Sequence, residues 1–181
     1  MAHIAILGLG NWGTAVARMW LLDGHKVKGW TIEQEVYESI TMNGVNTKYL
    51  PEHSVKGLEA TMRLEESLKG VEIVVLALPS AVILDVVDEI IPHLRPGHVL
   101  IDLAKGLAPG KRLISDAINE KLNAANKANT LAVVTGPTIA PEAAGGVLTT
   151  ALVASEDESV ANRLAETLTT ETFILHPASD P

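Results

Sequence analysis

The sequence predicts an α/β fold in which helices cover both faces of a mostly parallel sheet. Short runs of apolar and β-branched residues alternate with helix-like stretches along the chain, and this alternation is typical of right-handed βαβ units. The run VEIVVLAL at 71–78 is apolar almost throughout, as expected for a central parallel strand covered on both faces. Since 181 residues is about the length of one domain, we expect one domain over 1–181.

The predicted strands are apolar runs bounded by residues that turn or end a chain. HIAIL leads into a glycine cluster, KVKGW follows a turn at Gly24, and Pro79 ends the third run. HVLIDL begins after the turn RPG, and LAVVT runs into GPT. With the later runs TTALVAS and ETFIL, the predicted strands are 3–7, 26–30, 71–78, 98–103, 131–135, 149–155 and 171–175.

The predicted helices lie between these strands, where the apolar residues recur at helical spacing. They span 11–23, 33–42, 80–90, 111–124 and 157–168. A short helix is also predicted after GPT, with Thr138 as its N-cap. The stretch 44–63 contains Pro51 and Gly57, so we predict an irregular chain there with a short strand near Val55.

The composition argues against several classes of protein. The formal net charge of −8 and the isoelectric point of about 5.2 do not suit a nucleic-acid-binding surface. The longest apolar stretches are far shorter than the ~20 residues of a membrane span, and the six histidines show no metal-ligand spacing. There is no cysteine, and no basic segment followed by an apolar one opens the chain. We therefore expect a cytoplasmic protein without a bound metal.

The glycine cluster GLGNWG predicts a dinucleotide site. Gly8, Gly10 and Gly13 form G-x-G-x-x-G directly after a predicted strand and at the start of a predicted helix. In such a Rossmann-type turn the first glycine allows the tight bend, the second lets the backbone approach a pyrophosphate, and the third lets helix and strand pack closely. Backbone N–H groups and the helix dipole then favour the phosphates.

An acidic residue follows the second predicted strand at the place where the adenosine ribose would lie. Glu33 comes 20 residues after Gly13 and could accept a hydrogen bond from the ribose 2′-hydroxyl. A carboxylate there repels a 2′-phosphate, and no Arg lies beside it. We therefore expect NAD to be favoured, with NADP not excluded; a solvent-exposed Glu33 without a ligand role is the alternative.

The loops after the other predicted strands meet at the same edge of the sheet, where ligands bind in open α/β folds. Pro79 would flank the dinucleotide, or simply end its strand. Lys105 would hold a phosphate or a substrate oxygen, or be a solvated surface lysine. Asp102 would orient the Lys105 loop, or serve only as a structural acceptor. Gly136 and Thr138 precede the short helix and could bind an anion. Three loops suited to phosphate suggest a small phosphorylated substrate beside the dinucleotide.

The motifs GLGNWGTA, NTKYLP, LALPS, LAKGL and GPTIAPE, in this order, resemble those of NAD(P)-dependent glycerol-3-phosphate dehydrogenases. The resemblance extends from residue 3 to about 180; related Rossmann enzymes share the glycines but not this series. It implies reversible hydride transfer between NAD(P)H and dihydroxyacetone phosphate, giving sn-glycerol 3-phosphate for phospholipid synthesis. It also makes 46–51 a structural segment. Where Ile32 stands, many members carry an Arg or His that favours NADP, so Ile32 weakens that option.

The resemblance also implies roles for single residues. Asn11 and Trp12 would lie under the dinucleotide phosphates, Ile32 or Glu33 would face the ribose, and Ala140 would lie on the nicotinamide side. Together with the residues chosen by position, the cofactor-binding set is Gly8, Gly10, Asn11, Trp12, Gly13, Ile32, Glu33, Pro79, Lys105 and Ala140. The substrate-binding set is Lys105, Gly136 and Thr138.

In the family that the sequence resembles, an all-helical domain follows and supplies the catalytic lysine. The resemblance therefore places this lysine beyond Pro181, and we expect this chain alone to bind NADH without turnover. A homodimer stays open for a full-length protein. Two other interpretations also stay open. One is a non-catalytic module that binds or senses NADH. The other is a different 6-phosphogluconate-dehydrogenase-like oxidoreductase domain, such as a hydroxyacid or ketopantoate type.

Overall fold

The computed structural model describes residues 1–180, and strands and helices alternate along them. The strands are β1 (His3–Leu7), β2 (Lys26–Trp30), β3 (Glu59–Thr61), β4 (Ile73–Leu76), β5 (Val99–Asp102), β6 (Leu131–Thr135), β7 (Thr149–Ala154) and β8 (Phe173–Ala178). The helices are α1 (Asn11–Leu22), α2 (Gln34–Asn43), α3 (Leu64–Ser67), α4 (Ile83–Ile90), α5 (Ile114–Ala124), α6 (Ala140–Ala144) and α7 (Glu158–Leu168), and a 3-10 turn spans Ile91–His93.

The strands form one sheet in the order β3-β2-β1-β4-β5-β6-β7-β8. All neighbours are parallel except β6 and β7, which pair antiparallel. The strand order reverses between β1 and β4, which makes the carboxyl ends of these two strands the switch point where an open α/β sheet binds its ligand. The predicted mostly parallel Rossmann-type sheet is confirmed.

Apolar side chains of the sheet are buried on both faces because successive residues of a strand point to opposite sides. In β1, Ile4 and Ile6 pack into one cluster, whereas Ala5 and Leu7 pack into the other. Trp20 of α1 is fully buried in the first cluster, where its indole N–H donates to the Leu168 carbonyl at 3.1 Å. The predicted layers of helices on both faces are therefore present, and two cores hold the sheet between them.

Several element boundaries differ from the prediction. No strand forms at Val55; instead, three residues of β3 pair with the edge of β2, and the following short helix α3 was not predicted. Helix α5 begins three residues later than predicted because Lys111 adopts a left-handed conformation (φ 60°) in a turn that bridges Ala108 and Arg112. Helix α4 begins at Ile83 and not at residue 80, because a turn comes before it. In this turn the Pro79 carbonyl accepts hydrogen bonds from the N–H groups of Val82 and Ile83.

The contact between Gly8 and Gly13 gives a first prediction. A Cβ atom at Gly13 would collide with the Gly8 carbonyl oxygen, whereas one at Gly10 would have no heavy atom within 4 Å. We expect Gly13→Ala to lower the free energy of unfolding by about 2–3 kcal/mol, because backbone must move. The matched control Gly10→Ala should cost less than about 1 kcal/mol, the loss of a preferred N-cap residue. Urea unfolding of both variants measures the difference, and equal midpoints would contradict the prediction.

Candidate dinucleotide-binding site

A groove of about 650 Å³ lies over the carboxyl ends of β1, β2 and β4. One end is the glycine turn, the other is the segment after β2, and the far wall is formed by the segment after β4 and by α4. Its lining comprises Gly8, Leu9, Gly10, Asn11, Trp12, Gly13, Trp30, Thr31, Ile32, Glu33, Tyr49, Ala77, Leu78, Pro79, Val82, Asp85, Val86 and Glu89. The structure thus brings together eight of the predicted cofactor-binding residues, from Gly8 to Pro79, in a cavity of the size that binds cofactors.

The glycine turn presents free backbone to this groove. Gly8 has φ +102° and donates its N–H to the Trp30 carbonyl at 3.0 Å, which joins the turn to β2. Gly10 is the N-cap of α1, and its side has room for an approaching ligand. No side chain of the described residues caps this helix start, so the first N–H groups of α1 are available to an anion.

Asn46 holds the turn in place from the loop after α2. Its side chain is fully buried, and Nδ2 donates both to the Leu9 carbonyl and to Thr14 Oγ1, each at 2.8 Å. Thr14 Oγ1 donates to the same carbonyl at 3.1 Å, and Asn46 Oδ1 accepts from the Tyr49 N–H at 3.2 Å. These hydrogen bonds hold the Leu9 carbonyl towards the protein interior. Its oxygen therefore does not face the groove, where it would repel a phosphate group.

The segment after Asn46 also reaches the end of the groove near Glu33. Lys48 Nζ lies 2.6 Å from Glu33 Oε2 and also pairs with Glu35, and the Tyr49 hydroxyl donates to Glu33 Oε1 at 2.9 Å. The hydrogen bond from Lys48 lowers the pKa of Glu33 below its usual value, so this residue is ionised near neutral pH. Ile32 beside it is 75% exposed. Sequence reasoning treated 46–51 as structural only and missed Lys48 and Tyr49, although NTKYLP had drawn attention to the segment.

A second cavity of about 340 Å³ adjoins the first and shares Trp12 with it. Lys105 and Thr138 line it, and Lys105 Nζ lies 3.3 Å from both the carbonyl oxygen and Oγ1 of Thr138. Trp12 is fixed by an edge-to-face contact with Phe173, with the ring centroids 6.0 Å apart. The cation predicted at the mouth of the crevice therefore points into a small cavity directly beside the dinucleotide groove.

Asp102 lies under the Lys105 loop. Asp102 as a whole is only 3% exposed, and its Oδ1 accepts from the Ala104 N–H at 2.8 Å, which fixes the start of the loop. Burial raises the pKa of Asp102 from 3.8 to about 6, and the hydrogen bond from Ala104 only partly offsets this. The loop can then turn at Gly106, where φ is +132°. Asp102 thus positions the loop that carries Lys105, as its place in the sequence suggested.

One prediction for the residues after β6 is wrong. Thr138 is not the N-cap of α6; Ile139 occupies that position without a side-chain cap. Gly136 lines the second cavity, but a Cβ there would lie 3.0 Å from the Ala151 Cα, so its small size is also needed for packing on β7. Ala140 lines neither cavity; it packs against an apolar cluster that includes Leu50. Its predicted contact with the nicotinamide side stays a prediction.

Residues 1–180 contain neither a cluster of metal-ligating side chains nor a helix that could span a membrane. Among residues 1–180, no three His, Asp or Glu side chains gather where they could hold a metal ion. Within the same range, every helix is too short or too polar to cross a lipid bilayer.

A family model described as the N-terminus of NAD-dependent glycerol-3-phosphate dehydrogenase matches residues 3–161. The chain belongs to this family. Glycerol-3-phosphate dehydrogenase [NAD(P)+] of Syntrophotalea carbinolica is 31% identical over 98% of the chain and 54% of its own length. The corresponding protein of an Exiguobacterium species is 35% identical over 99% of the chain and 53% of its own length. The chain spans about half the length of the curated relatives it matches.

Solved structures agree with this assignment. The crystal structure of glycerol-3-phosphate dehydrogenase from Coxiella burnetii matches with a TM-score of 0.91 and 31% identity, and the match covers 99% of this chain and 54% of that one. UDP-D-ManNAc dehydrogenase of Pyrococcus horikoshii matches with a TM-score of 0.78 but 20% identity, so it shares the fold. Membership in the glycerol-3-phosphate dehydrogenase family decides against the other oxidoreductase types left open by the sequence.

Replacing Asp102 by Asn tests the burial of its charge. Because the folded state raises the pKa of Asp102, folding takes up protons between about pH 4 and pH 6, and stability falls as pH rises through this window. Asn keeps an oxygen acceptor for the Ala104 N–H but carries no charge. We expect Asp102→Asn to be more stable than the unaltered chain by about 2 kcal/mol at pH 8 and equally stable near pH 4. Urea unfolding at several pH values measures this, and a difference independent of pH would contradict it.

Proposed function

We propose that this chain is the cofactor-binding part of an sn-glycerol-3-phosphate dehydrogenase, which reversibly transfers a hydride between NAD(P)H and dihydroxyacetone phosphate. The observation that supports this best is the pair of adjoining cavities. A groove shaped for a dinucleotide and a smaller cavity holding the Lys105 ammonium meet at Trp12. A hydride donor at the end of the first would face a phosphorylated substrate in the second.

In this arrangement the pyrophosphate lies on the glycine turn. The free N–H groups at the start of α1 donate to it, and the open side of Gly10 leaves the space that it needs. Asn11 and Trp12 lie next to it, Pro79 faces it from the opposite wall, and Glu33 accepts from the adenosine ribose. The bound cofactor supplies the hydride, while the chain binds and orients it.

The second cavity takes the substrate. Lys105 is held by Thr138 with two contacts of 3.3 Å, and its ammonium can bind a phosphate or a substrate oxygen. Val133, Val134 and Leu103 give this cavity apolar walls, which keep water away from the reacting carbon and strengthen the interactions of the lysine with an anion. Gly136 and Thr138 complete the contact with substrate.

The proposal assigns this chain the cofactor half of the reaction, since the relatives that it matches are about twice as long. NAD is the expected cofactor because Glu33 is ionised at the ribose position. NADP should bind more weakly, since its 2′-phosphate would meet this negative charge. The absence of cysteine suits a cytoplasmic location.

Gly10→Val tests the placement of the cofactor. The side chain would occupy the open space in front of the glycine turn, where no protein atom lies within 4 Å. We expect NADH binding, followed by nucleotide fluorescence, to weaken at least about a hundredfold, because the pyrophosphate can no longer reach the backbone. Thermal unfolding of the variant controls for folding. Unchanged NADH affinity in a folded Gly10→Val protein would contradict the placement.

Lys105→Gln tests the substrate cavity. With NADH saturating, we expect the variant to bind glycerol 3-phosphate about tenfold or more weakly by calorimetry, because a charged hydrogen bond to phosphate is lost. Lys56→Gln is the matched control, since it removes the same charge from an exposed residue that lines neither cavity. Equal affinities in the two variants would contradict a phosphate-binding role for Lys105.

A further inference from the structure

Carboxylates line the groove that the proposed function assigns to the dinucleotide. Glu33 lines it on the side of β2, and Asp85 and Glu89 line it from α4. Glu35 lies just outside, in the first turn of α2. These carboxylates form an acidic wall that would oppose a ligand bringing further negative charge into the groove, because like charges in one concave surface repel it.

Lys48 is the cation that counters this wall. Its Nζ lies 2.6 Å from Glu33 Oε2 and also pairs with Glu35, so one ammonium neutralises part of two carboxylates. The side chain is 42% exposed and reaches Glu33 from the loop after Asn46, which is itself anchored under the glycine turn. The position of Lys48 is therefore fixed by the same loop that holds the phosphate-binding backbone.

Glu33 remains able to bind a ribose hydroxyl in this cluster. A carboxylate offers about four acceptor positions, and two are used by Lys48 and Tyr49. A 2′-hydroxyl can therefore still donate to it. A 2′-phosphate cannot donate and would meet the negative charge of Glu33, and the charge that it feels depends on whether Lys48 is present beside that carboxylate.

This inference rests on the proposed function, because it takes the groove as the nucleotide site. We propose that Lys48 is a specificity-determining residue that acts through Glu33: by offsetting the charge of Glu33 and Glu35, it sets how strongly the site discriminates against a 2′-phosphorylated dinucleotide. Glu35 opposes this effect, since it draws part of the ammonium charge away from the groove. The degree of preference for NADH over NADPH then follows from the three-residue cluster and not from Glu33 alone.

The test is the ratio of the dissociation constants for NADPH and NADH, which differ only by the 2′-phosphate. We expect Lys48→Gln to raise this ratio about fivefold to tenfold while NADH affinity changes little, and Lys48→Arg to keep the original ratio. Glu35→Gln should lower the ratio, because Lys48 loses its outer partner. The effect of Lys48→Gln should shrink at high salt, which a purely structural role of the residue would not produce.

Lys56→Gln, on the same loop, is the matched control for loss of one positive charge, and its ratio should stay unchanged. If Lys48→Gln leaves the ratio unaltered in a protein that binds NADH, or if Lys56→Gln changes it equally, the role of Lys48 is refuted while the nucleotide site stands. If the unaltered chain binds neither nucleotide, the proposed function fails and the inference falls with it. Thermal unfolding of each variant confirms that the ratios are measured on folded protein.

Discussion

The structure depends on one close approach, between the end of β1 and the start of α1. Gly13 lies against the Gly8 carbonyl, where no Cβ atom fits, and this lets the helix start directly over the strand end. The N–H groups at the start of α1 consequently face the switch point of the sheet. A larger separation would leave the sheet intact but would withdraw the backbone donors from the ligand.

A second constraint keeps the glycine turn open to an anion: the Leu9 carbonyl oxygen must point away from the groove. Asn46 and Thr14 bind it in the interior, at the cost of burying an amide that is stable only while its hydrogen bonds are made. The same loop continues to Lys48 and Tyr49, which bind Glu33. One buried asparagine therefore connects the geometry of the glycine turn to the electrostatics around Glu33.

The two cavities differ in charge, and the difference suits the two ligands proposed for them. Carboxylates line the larger groove, whereas Lys105 lines the smaller cavity beside Trp12. The loop that carries Lys105 is held by the buried carboxyl group of Asp102, whose raised pKa marks a cost in stability at neutral pH. Stability is thus given up at the loop where a substrate anion is proposed to bind, a pattern common to functional sites.

The fold class and the location of the glycine turn could be predicted from local sequence patterns. The strands 3–7, 26–30 and 131–135 were predicted to the residue, because apolar runs between turn residues form buried strands in almost any α/β context. The motif G-x-G-x-x-G with its flanking strand and helix likewise located the glycine turn. These features depend on short segments. Their local sequence patterns predict strands, helices and turns without knowledge of what packs against them.

The partners of Glu33 and the position of β3 could not be predicted, because both depend on contacts between distant segments. Lys48 and Tyr49 reach Glu33 from 15 and 16 residues away, and only the folded loop brings them to it. Glu59–Thr61 carries no strand pattern of its own and is held by backbone pairing to the edge of β2. Ala140 packs on an apolar cluster, because the course of α6 is set by its contact with α1. Such interactions join segments that are distant in the sequence, so local sequence patterns do not predict them.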